Sequence, residues 1–458
     1  MKHLYKFGIF LFLTAATSIS EAAARNILGI DGEESTSVGI YIKDLRTGRV
    51  LVDHNSRLAL TPASVMKVIT TASALSVLGT EHRFTTTVSL SGASCGSGQW
   101  KGNIVVSSSA DPTVESEYFK ERLGFCDSIA DGIERLGIKS LDGSIIVEQT
   151  LSEAGPIAQW EIEDVAWPYG AGLFGFNWRD NCVNVTPATG QTKPYVPGLN
   201  VELRKSDTGN DLVRGAGSDR LIVYARNPQN KKWVLGISVP DPSAVFKAEL
   251  TEALRKRGIE VSNKKFAGTS DAGKKIYVHR SPSSAEIMRS LMVRSDNMFA
   301  EGMLRAIAPG KTRKRAIERE KEIWASRGIS PRYTIIRDGS GLTRANRLSA
   351  RFIGDVLEWM AESPRAATFT SFFPRAGRDG TLRSFLDKSP LEGQLALKTG
   401  SVSSVQCYAG YKIDNNACPT HVVVVMVNGF FCPRAQVRRG TERLMMKLLA
   451  PQSAEKQK

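Results

Sequence analysis

The chain has 458 residues, of which 41% are hydrophobic and 8% aromatic. This composition is ordinary for globular proteins, excludes a largely disordered chain and gives room for two or three domains. The formal net charge of +15 favours anionic partners such as a cell-wall polymer or a membrane surface, although each basic cluster can equally be a solvated face.

The N-terminus has the pattern of a secretory signal peptide. Lys2 and Lys6 precede an apolar run at residues 7–16, and small residues follow up to Ala24. The apolar run is too short to span a bilayer as a stable helix. We therefore predict a signal peptide over residues 1–24, cleaved near Ala24, and a periplasmic or otherwise extracytoplasmic protein with at most peripheral membrane contact. Export argues against nucleic acid as a partner.

The first folded element is a predicted β-hairpin. Residues 38–42 and 50–53 are rich in β-branched and aliphatic side chains, and Gly48 closes the turn between them. Two such runs joined by a short turn are typical of paired antiparallel strands.

A helix follows the hairpin. Thr61 is a suitable N-cap, Pro62 suits the first helical position, and Gly79 is a typical stop, so the helix should end at Leu78. Apolar residues occupy nearly every face, which predicts a helix buried inside a domain.

This helix carries a serine and a lysine three residues apart, Ser64 and Lys67. The spacing places both side chains on one face near the helix N-terminus, where free N–H groups favour developing negative charge. Burial makes a lysine lose its proton more easily, and a neutral amine can activate a serine hydroxyl. The pair alone leaves a second interpretation open, in which Lys67 extends to solvent and Ser64 is an ordinary first-turn residue.

A β-rich stretch extends from residue 84 to about residue 280. Short alternating segments separated by Gly, Pro, Asn and Asp predict strands at residues 85–90, 103–106, 144–147, 221–225 and 234–239. Of the six cysteines, Cys95 and Cys126 are the best candidates for a disulfide because both lie in this loop-rich stretch. The cysteine and histidine spacings match no metal motif, so we expect no metal or other cofactor.

The helical period returns after residue 281. Helices are predicted over residues 285–292, 298–307, 311–324, 348–360 and 435–449. Strands are predicted over residues 334–336, 395–397, 405–413 and 422–429.

This order predicts an α/β protein whose main domain is split by a long insertion. The domains expected are residues 25–83 with 281–450 for the main domain, 84–162 with 246–280 for the inserted β-rich domain, 163–245 for a second, nested inserted domain, and 451–458 for a polar tail.

Two further short motifs lie in the predicted main domain. Ser295, Asp296 and Asn297 lie between two predicted helices, and Lys398, Thr399 and Gly400 follow a predicted strand. Alone, the first is an ordinary helix cap and the second a polar strand end. Together, S-x-x-K, S-D-N and K-T-G in this order are the signature of penicillin-binding proteins and serine β-lactamases.

Three longer stretches narrow the resemblance. Residues 294–301 (RSDNMFAE), 338–344 (DGSGLTR) and 374–383 (PRAGRDGTLR) resemble the low-molecular-mass class C penicillin-binding proteins, the D-alanyl-D-alanine carboxypeptidases/endopeptidases of peptidase family S13. The resemblance implies an antiparallel sheet flanked by helices and split by a large insertion. The 231 residues from Ser64 to Ser295 fit that insertion.

The resemblance also implies catalytic roles. Ser64 would attack the carbonyl of the penultimate D-alanine, with Lys67 as general base. Ser295 would pass a proton towards the leaving nitrogen, Asn297 would hold Lys67 and the substrate amide, and Lys398 would supply positive charge. The backbone N–H groups of Ser64 and Ser401 would form the oxyanion hole.

Substrate-binding roles are implied for six residues, Thr399, Gly400, Ser401, Arg344, Asp296 and Glu148. Thr399 would bind the terminal carboxylate, and Arg344 would line the groove unless it is a surface ion-pair residue. Family members often have an aspartate followed closely by an aromatic residue to read the diamino acid of the stem peptide. Here Glu148 keeps the carboxylate without the aromatic residue, so the diamino acid recognised stays open.

The partners implied are peptidoglycan peptides and β-lactam antibiotics. A serine β-lactamase is the alternative enzyme, but the chain lacks an E-x-x-L-N motif and has Ser295 where class C β-lactamases have tyrosine. A catalytically silent, basic cell-wall-binding protein would be expected to have lost Ser64, Lys67 or Lys398. A serine esterase is less consistent with DGSGLTR. The sequence does not decide the oligomeric state or the balance of carboxypeptidase and endopeptidase activity.

Overall fold

A computed structural model describes residues 26–264, 266 and 273–451. The predicted signal peptide and residues 452–458 of the predicted tail lie outside this part of the chain. These described residues divide into two compact units, one formed by those up to Val65 and from Arg347 onward, the other by those between Met66 and Asn346. Within the described ranges, no helix is both long and apolar enough to cross a membrane.

The α-helices are Met66–Leu78 (α1), Phe125–Glu134 (α2), Ile162–Val165 (α3), Pro242–Lys256 (α4), Ser284–Arg294 (α5), Asn297–Ala306 (α6), Arg313–Ala325 (α7), Ala350–Glu362 (α8), Ala366–Ser371 (α9) and Arg434–Leu449 (α10). The strands are Ser37–Asp44 (β1), Val50–His54 (β2), Thr85–Leu90 (β3), Ala93–Gly96 (β4), Gln99–Lys101 (β5), Ile104–Ser108 (β6), Ser140–Asp142 (β7), Ile145–Val147 (β8), Cys182–Thr186 (β9), Gln191–Lys193 (β10), Asn200–Lys205 (β11), Asp211–Val213 (β12), Arg220–Ala225 (β13), Leu235–Ser238 (β14), Glu260–Val261 (β15), Lys274–Arg280 (β16), Leu395–Val402 (β17), Val405–Ile413 (β18) and Pro419–Asn428 (β19).

The first unit is built on a five-stranded antiparallel sheet with the order β17-β18-β19-β1-β2. Side chains alternate between its two faces. Ile40 and Ile42 of β1 join the apolar core that includes Val437 and Met445 of α10. On the other face α8 packs against β1 and β19, and the Tyr411 hydroxyl donates to Leu357 O at 2.7 Å. Because both faces are covered, the central strands are almost entirely buried.

Most predicted elements of this unit are confirmed. The hairpin pairs β1 with β2, and the two C-terminal strands and the last helix occur within a few residues of the predicted bounds. The predicted end of the strand at Leu397 is wrong. Strand β17 continues to Val402, so the K-T-G residues lie on the strand, where cross-strand pairing with β18 holds them.

The second unit contains the buried helix α1, which packs against α5, α6 and α7. The predicted helix end at Gly79 is confirmed by its positive φ of 71°. The predicted start at Thr61 is wrong, because residues 63–65 form a 3₁₀ turn and the α-helix begins at Met66. The predicted strand at residues 334–336 is also wrong: Thr334 N–H donates to Pro331 O in a turn.

The segment between α1 and α5 is rich in strands, as predicted. It contains two four-stranded sheets, β16-β3-β6-β8 and β15-β7-β5-β4, and two three-stranded sheets, β10-β9-β14 and β11-β13-β12. Helices α2 and α4, which the sequence analysis did not predict, pack against each other. One apolar core cluster includes residues from all four sheets. The boundary of a nested domain at residues 163–245 stays a prediction.

The predicted disulfide is wrong. Cys95 is exposed on β4 and Cys126 lies in α2, and all six cysteines, which fall within the described ranges, carry free thiols. Burial raises the pKa of the Cys126 thiol, so this cysteine is a poor nucleophile.

Candidate active site

Ser64 is a partly exposed residue in a buried turn. From Thr61 to Leu75, a stretch that the structure describes throughout, Ser64 alone keeps partial solvent exposure. The preceding residue, Ala63, has a φ of 46°, which an L-residue with a Cβ seldom adopts. Such strain persists only where surrounding contacts impose it, and it concentrates at functional sites. The turn therefore presents one hydroxyl from an otherwise buried segment.

The turn is fixed to the sheet of the first unit by a side chain of β19. Asn428 accepts the N–H of Thr61 through Oδ1 at 2.8 Å and donates from Nδ2 to Thr61 O at 3.1 Å. Strand β17 also lies close to the turn. A Cβ added at Gly400 would be only 2.7 Å from Pro62 O and 2.9 Å from Ser64 N. The K-T-G strand and the Ser64 turn are thus in backbone contact.

The K-T-G residues place a buried lysine on the edge strand of the sheet. Lys398 is fully buried and its Nζ donates to Thr399 O at 2.7 Å. The hydroxyls of Thr399 and Thr381 are 2.7 Å apart, and Ser401 is exposed. Strand β17 is at the edge of its sheet. An edge strand offers backbone groups on which an extended peptide can pair.

Lys67 is the central charged group of the second unit. It is fully buried, and Nζ donates to Asn297 Oδ1 at 2.5 Å and to the carbonyl of Ser340 at 2.6 Å. Burial lowers the pKa of Lys67 to about 8, while the carboxylates of Asp338, Asp296 and Glu301 oppose this shift. A substantial fraction of the amine is therefore neutral near pH 8, as a general base requires.

The S-D-N residues occupy the junction of α5 and α6. Ser295 ends α5 in the left-handed region, with a φ of 64°. Asp296 caps α6 by accepting the Phe299 N–H at 2.8 Å, and burial raises its pKa. Asn297 turns Oδ1 to Lys67 and donates from Nδ2 to Tyr169 O at 2.8 Å. The cap and the turn together fix the asparagine amide against the lysine.

The sequence analysis missed the group that organises the loop after residue 337. Asp338 is fully buried and accepts hydrogen bonds of 2.7 to 3.2 Å from the N–H groups of Gly341 and Thr343, the Asn346 amide, the Trp160 indole and the Ser340 hydroxyl. This network holds the Ser340 carbonyl that accepts from Lys67. The DGSGLTR motif contained the signal, because a D-x-S-G sequence favours a side-chain-stabilised turn.

Two predicted substrate residues lie at the protein surface. Arg344 is half exposed, with Nε 3.6 Å from Glu161 Oε1. Glu148 is exposed beyond the end of β8, and its N–H donates to Val106 O. Neither residue contributes to the hydrogen bonds described for Lys67 and Asn297. Their substrate roles stay predictions.

A family model described as the D-Ala-D-Ala carboxypeptidase 3 (S13) family matches residues 26–451. The chain belongs to the S13 family. It is 26% identical over 414 residues to the D-alanyl-D-alanine carboxypeptidase of Actinomadura sp. R39, covering 82% of this chain and 75% of the relative. It is 25% identical over 423 residues to the D-alanyl-D-alanine carboxypeptidase DacB of Haemophilus influenzae, covering 87% and 86%.

The S13 fold is also shown by solved structures. Penicillin-binding protein 4 (DacB) of Haemophilus influenzae matches with a TM-score of 0.76 and 23% identity, covering 91% of this chain and 97% of that protein. A structure of the same protein in complex with a β-lactam matches with a TM-score of 0.72. The predicted family and fold class are confirmed, and the chain is a hydrolase of the D-Ala-D-Ala carboxypeptidase type.

Proposed function

We propose that this S13 carboxypeptidase is an exported enzyme that trims peptidoglycan stem peptides and also cuts peptidoglycan cross-links as a DD-endopeptidase. It would work through an acyl-enzyme on Ser64, and β-lactams would acylate the same serine. The observation that carries this proposal is the buried amine of Lys67, whose pKa is lowered to about 8 and whose N–H groups have fixed acceptors in Asn297 and Ser340.

In the first step, Ser64 Oγ attacks the carbonyl carbon of the penultimate D-alanine while neutral Lys67 takes the hydroxyl proton. The oxyanion is stabilised by the N–H groups of Ser64 and Ser401, a contribution of about 3 kcal/mol per donor. Thr399 donates to the terminal carboxylate, and Lys398 adds positive charge. The position of β17 at the edge of its sheet supports this assignment, because an edge strand can align an extended peptide.

In the second step, the C–N bond to the terminal residue breaks as Ser295 gives its hydroxyl proton to the departing nitrogen. Ser295 takes up the proton held by Lys67, so the lysine is neutral again. The peptide remains as an ester on Ser64. Water then attacks the ester carbonyl and gives a proton to Lys67. The lysine passes a proton to Ser64 Oγ as the ester C–O bond breaks, which frees the serine. In a β-lactam the departing nitrogen stays tethered to the acyl group, so the adduct keeps the whole mass of the antibiotic. The β-lactam complex of the Haemophilus influenzae protein supports extending this chemistry to the present chain.

Acylation is expected to be pH-dependent. Only the neutral amine of Lys67 accepts the serine proton, so the second-order rate constant for acylation by benzylpenicillin should rise with pH and reach half its maximum near the lysine pKa of about 8. At pH 6 it should have fallen by roughly two orders of magnitude. Stopped-flow measurements from pH 6 to 9.5 check this. A rate constant that is flat or that falls over this range would contradict Lys67 as the base.

The proposal is tested by the intact mass of the protein after incubation with benzylpenicillin, followed over time. The expected result is a mass increase equal to the whole antibiotic that decays slowly. Rapid loss of the antibiotic without an adduct would identify a β-lactamase, and neither an adduct nor loss would identify a catalytically silent cell-wall protein. Pentapeptides and cross-linked muropeptides then distinguish carboxypeptidase from endopeptidase activity.

A further inference from the structure

A buried carboxylate lies one helical turn beyond Asn297 on α6. Glu301 is 2% exposed, and its Oε1 accepts the N–H groups of Gly339 and Ser340 at 2.9 and 2.8 Å. Residues four apart lie on the same face of a helix. Helix α6 therefore turns Asn297 and Glu301 towards the same region, where the loop after Asp338 passes.

The loop held by Glu301 contacts the helix of Lys67 at two consecutive carbonyls. Ser340 O accepts from Lys67 Nζ at 2.6 Å, and Gly339 O accepts from Thr70 Oγ1 at 2.8 Å. Helix α6 thus acts on Lys67 directly through Asn297 and indirectly through Glu301 and the Ser340 carbonyl.

The two acceptors matter because they orient the neutral amine of Lys67. It has two N–H groups and one lone pair. When Asn297 Oδ1 and Ser340 O accept hydrogen bonds from these two N–H groups, the direction of the lone pair is fixed. Displacement of either acceptor would let the amine rotate, and displacements of about 1 Å in a catalytic arrangement cost about a hundredfold in rate.

We propose that Glu301 is a positioning residue for Lys67, which fixes the Ser340 carbonyl and thereby the direction in which the lysine accepts a proton. This rests on the proposed function, in which Lys67 is the base. No substrate contact by Glu301 is involved.

The charge of Glu301 gives the proposal a separate signature. Burial, with Asp338, raises the pKa of Glu301 to about 7, while Arg313 and the Ser340 hydrogen bonds oppose this. The carboxyl is therefore ionised near pH 8, where Lys67 titrates, and its charge raises the pKa of Lys67. Glu301 also interacts with the charges of Glu320 on α7 and of Arg305 on its own helix.

The test compares Glu301→Gln with Glu301→Ala. Glutamine keeps an oxygen for the two N–H groups but removes the charge. We expect it to retain the maximal acylation rate within about threefold and to shift the midpoint of the pH profile downward by roughly half a unit to one unit. Alanine removes the acceptor, and we expect acylation to fall about 10- to 100-fold at every pH.

Glu115 provides a matched control. It is 7% exposed and accepts the consecutive N–H groups of Gly124 and Phe125 at 3.0 Å, so Glu115→Ala also strips two backbone donors. It should lower the unfolding temperature as Glu301→Ala does, but leave the acylation rate per folded molecule and its pH midpoint unchanged.

The proposal is overturned if Glu301→Ala acylates as fast as Glu115→Ala, or if Glu301→Gln leaves the midpoint unchanged. If the wild type itself is not acylated, the proposed function fails. The positioning role is then judged by NMR titration of the Lys67 side chain, which should still show a lower midpoint in Glu301→Gln. An unchanged midpoint in that titration would refute the role independently of catalysis.

Discussion

Replacing Ser64 with alanine is expected to abolish the benzylpenicillin adduct and to lower hydrolysis of D-Ala-D-Ala peptides by at least about four orders of magnitude. The hydroxyl oxygen is the atom that the proposed mechanism bonds to the substrate, and every other residue from Thr61 to Leu75 is buried. Because Ser64 lies partly exposed on a turn, losing its hydroxyl should change the unfolding temperature by little. Intact-mass spectrometry and a D-alanine release assay measure the two effects.

Ser76 is the matched control for this substitution. It lies on α1, directly after Leu75, and its hydroxyl donates to Ala72 O at 2.7 Å. Ser76→Ala should form the adduct at the wild-type rate. A Ser64→Ala protein that still carries one covalent penicillin would assign the nucleophile to another residue and would refute the proposed mechanism.

The sequence predicted the sheet of the first unit well because its strands carry strong, uninterrupted apolar runs. The valines of β19 and the β-branched and aromatic residues of β1 both favour strands. The end of β17 was misjudged because Thr399, Gly400 and Ser401 are polar or small. Pairing with β18 keeps them in the strand, and this tertiary effect is not encoded in local propensity.

Two of the three helices missed in the insertion, α2 and α4, each had a local signal. Helix α4 has Asp241 as its N-cap and Pro242 at its first position, and α2 places Phe125, Ile129 and Ile133 on one buried face. Both follow or precede segments with strong β character, which outweighed these shorter patterns. The helices are stable because they pack on the sheets of the insertion, as amphipathic helices generally require.

The candidate site could be predicted as a set of motifs but not as a network. Spacing and order predict Ser64, Lys67, Asn297 and Lys398 as site residues. The sequence analysis gave no role to the Ser340 carbonyl, Asp338 or Glu301, because their effect on Lys67 is exerted through backbone groups brought close by the fold. Every residue has a backbone carbonyl, so no residue pattern reveals which carbonyl accepts the hydrogen bond from Lys67.

Gly400→Ala is expected to reduce acylation by benzylpenicillin about a hundredfold. A Cβ there would lie 2.7 Å from Pro62 O, 2.8 Å from Val65 N and 2.9 Å from Ser64 N. These are backbone atoms that cannot rotate away, so β17 and the Ser64 turn must separate. The separation moves Ser64 away from the N–H group of Ser401, its proposed partner in the oxyanion hole, and overpacking of this kind also costs about 1 to 3 kcal/mol of stability.

Gly215→Ala is the matched control, because a Cβ at Gly215 would meet Ser218 Cβ at an ordinary 3.8 Å. It should acylate normally. The rate constant for acylation is measured per folded molecule, so that the stability cost at Gly400 is separated from the loss of geometry. Wild-type acylation by Gly400→Ala would mean that the close contact between β17 and the Ser64 turn is not needed for the reaction. The K-T-G glycine would then serve folding alone, and the oxyanion hole would have to be assigned to other N–H groups.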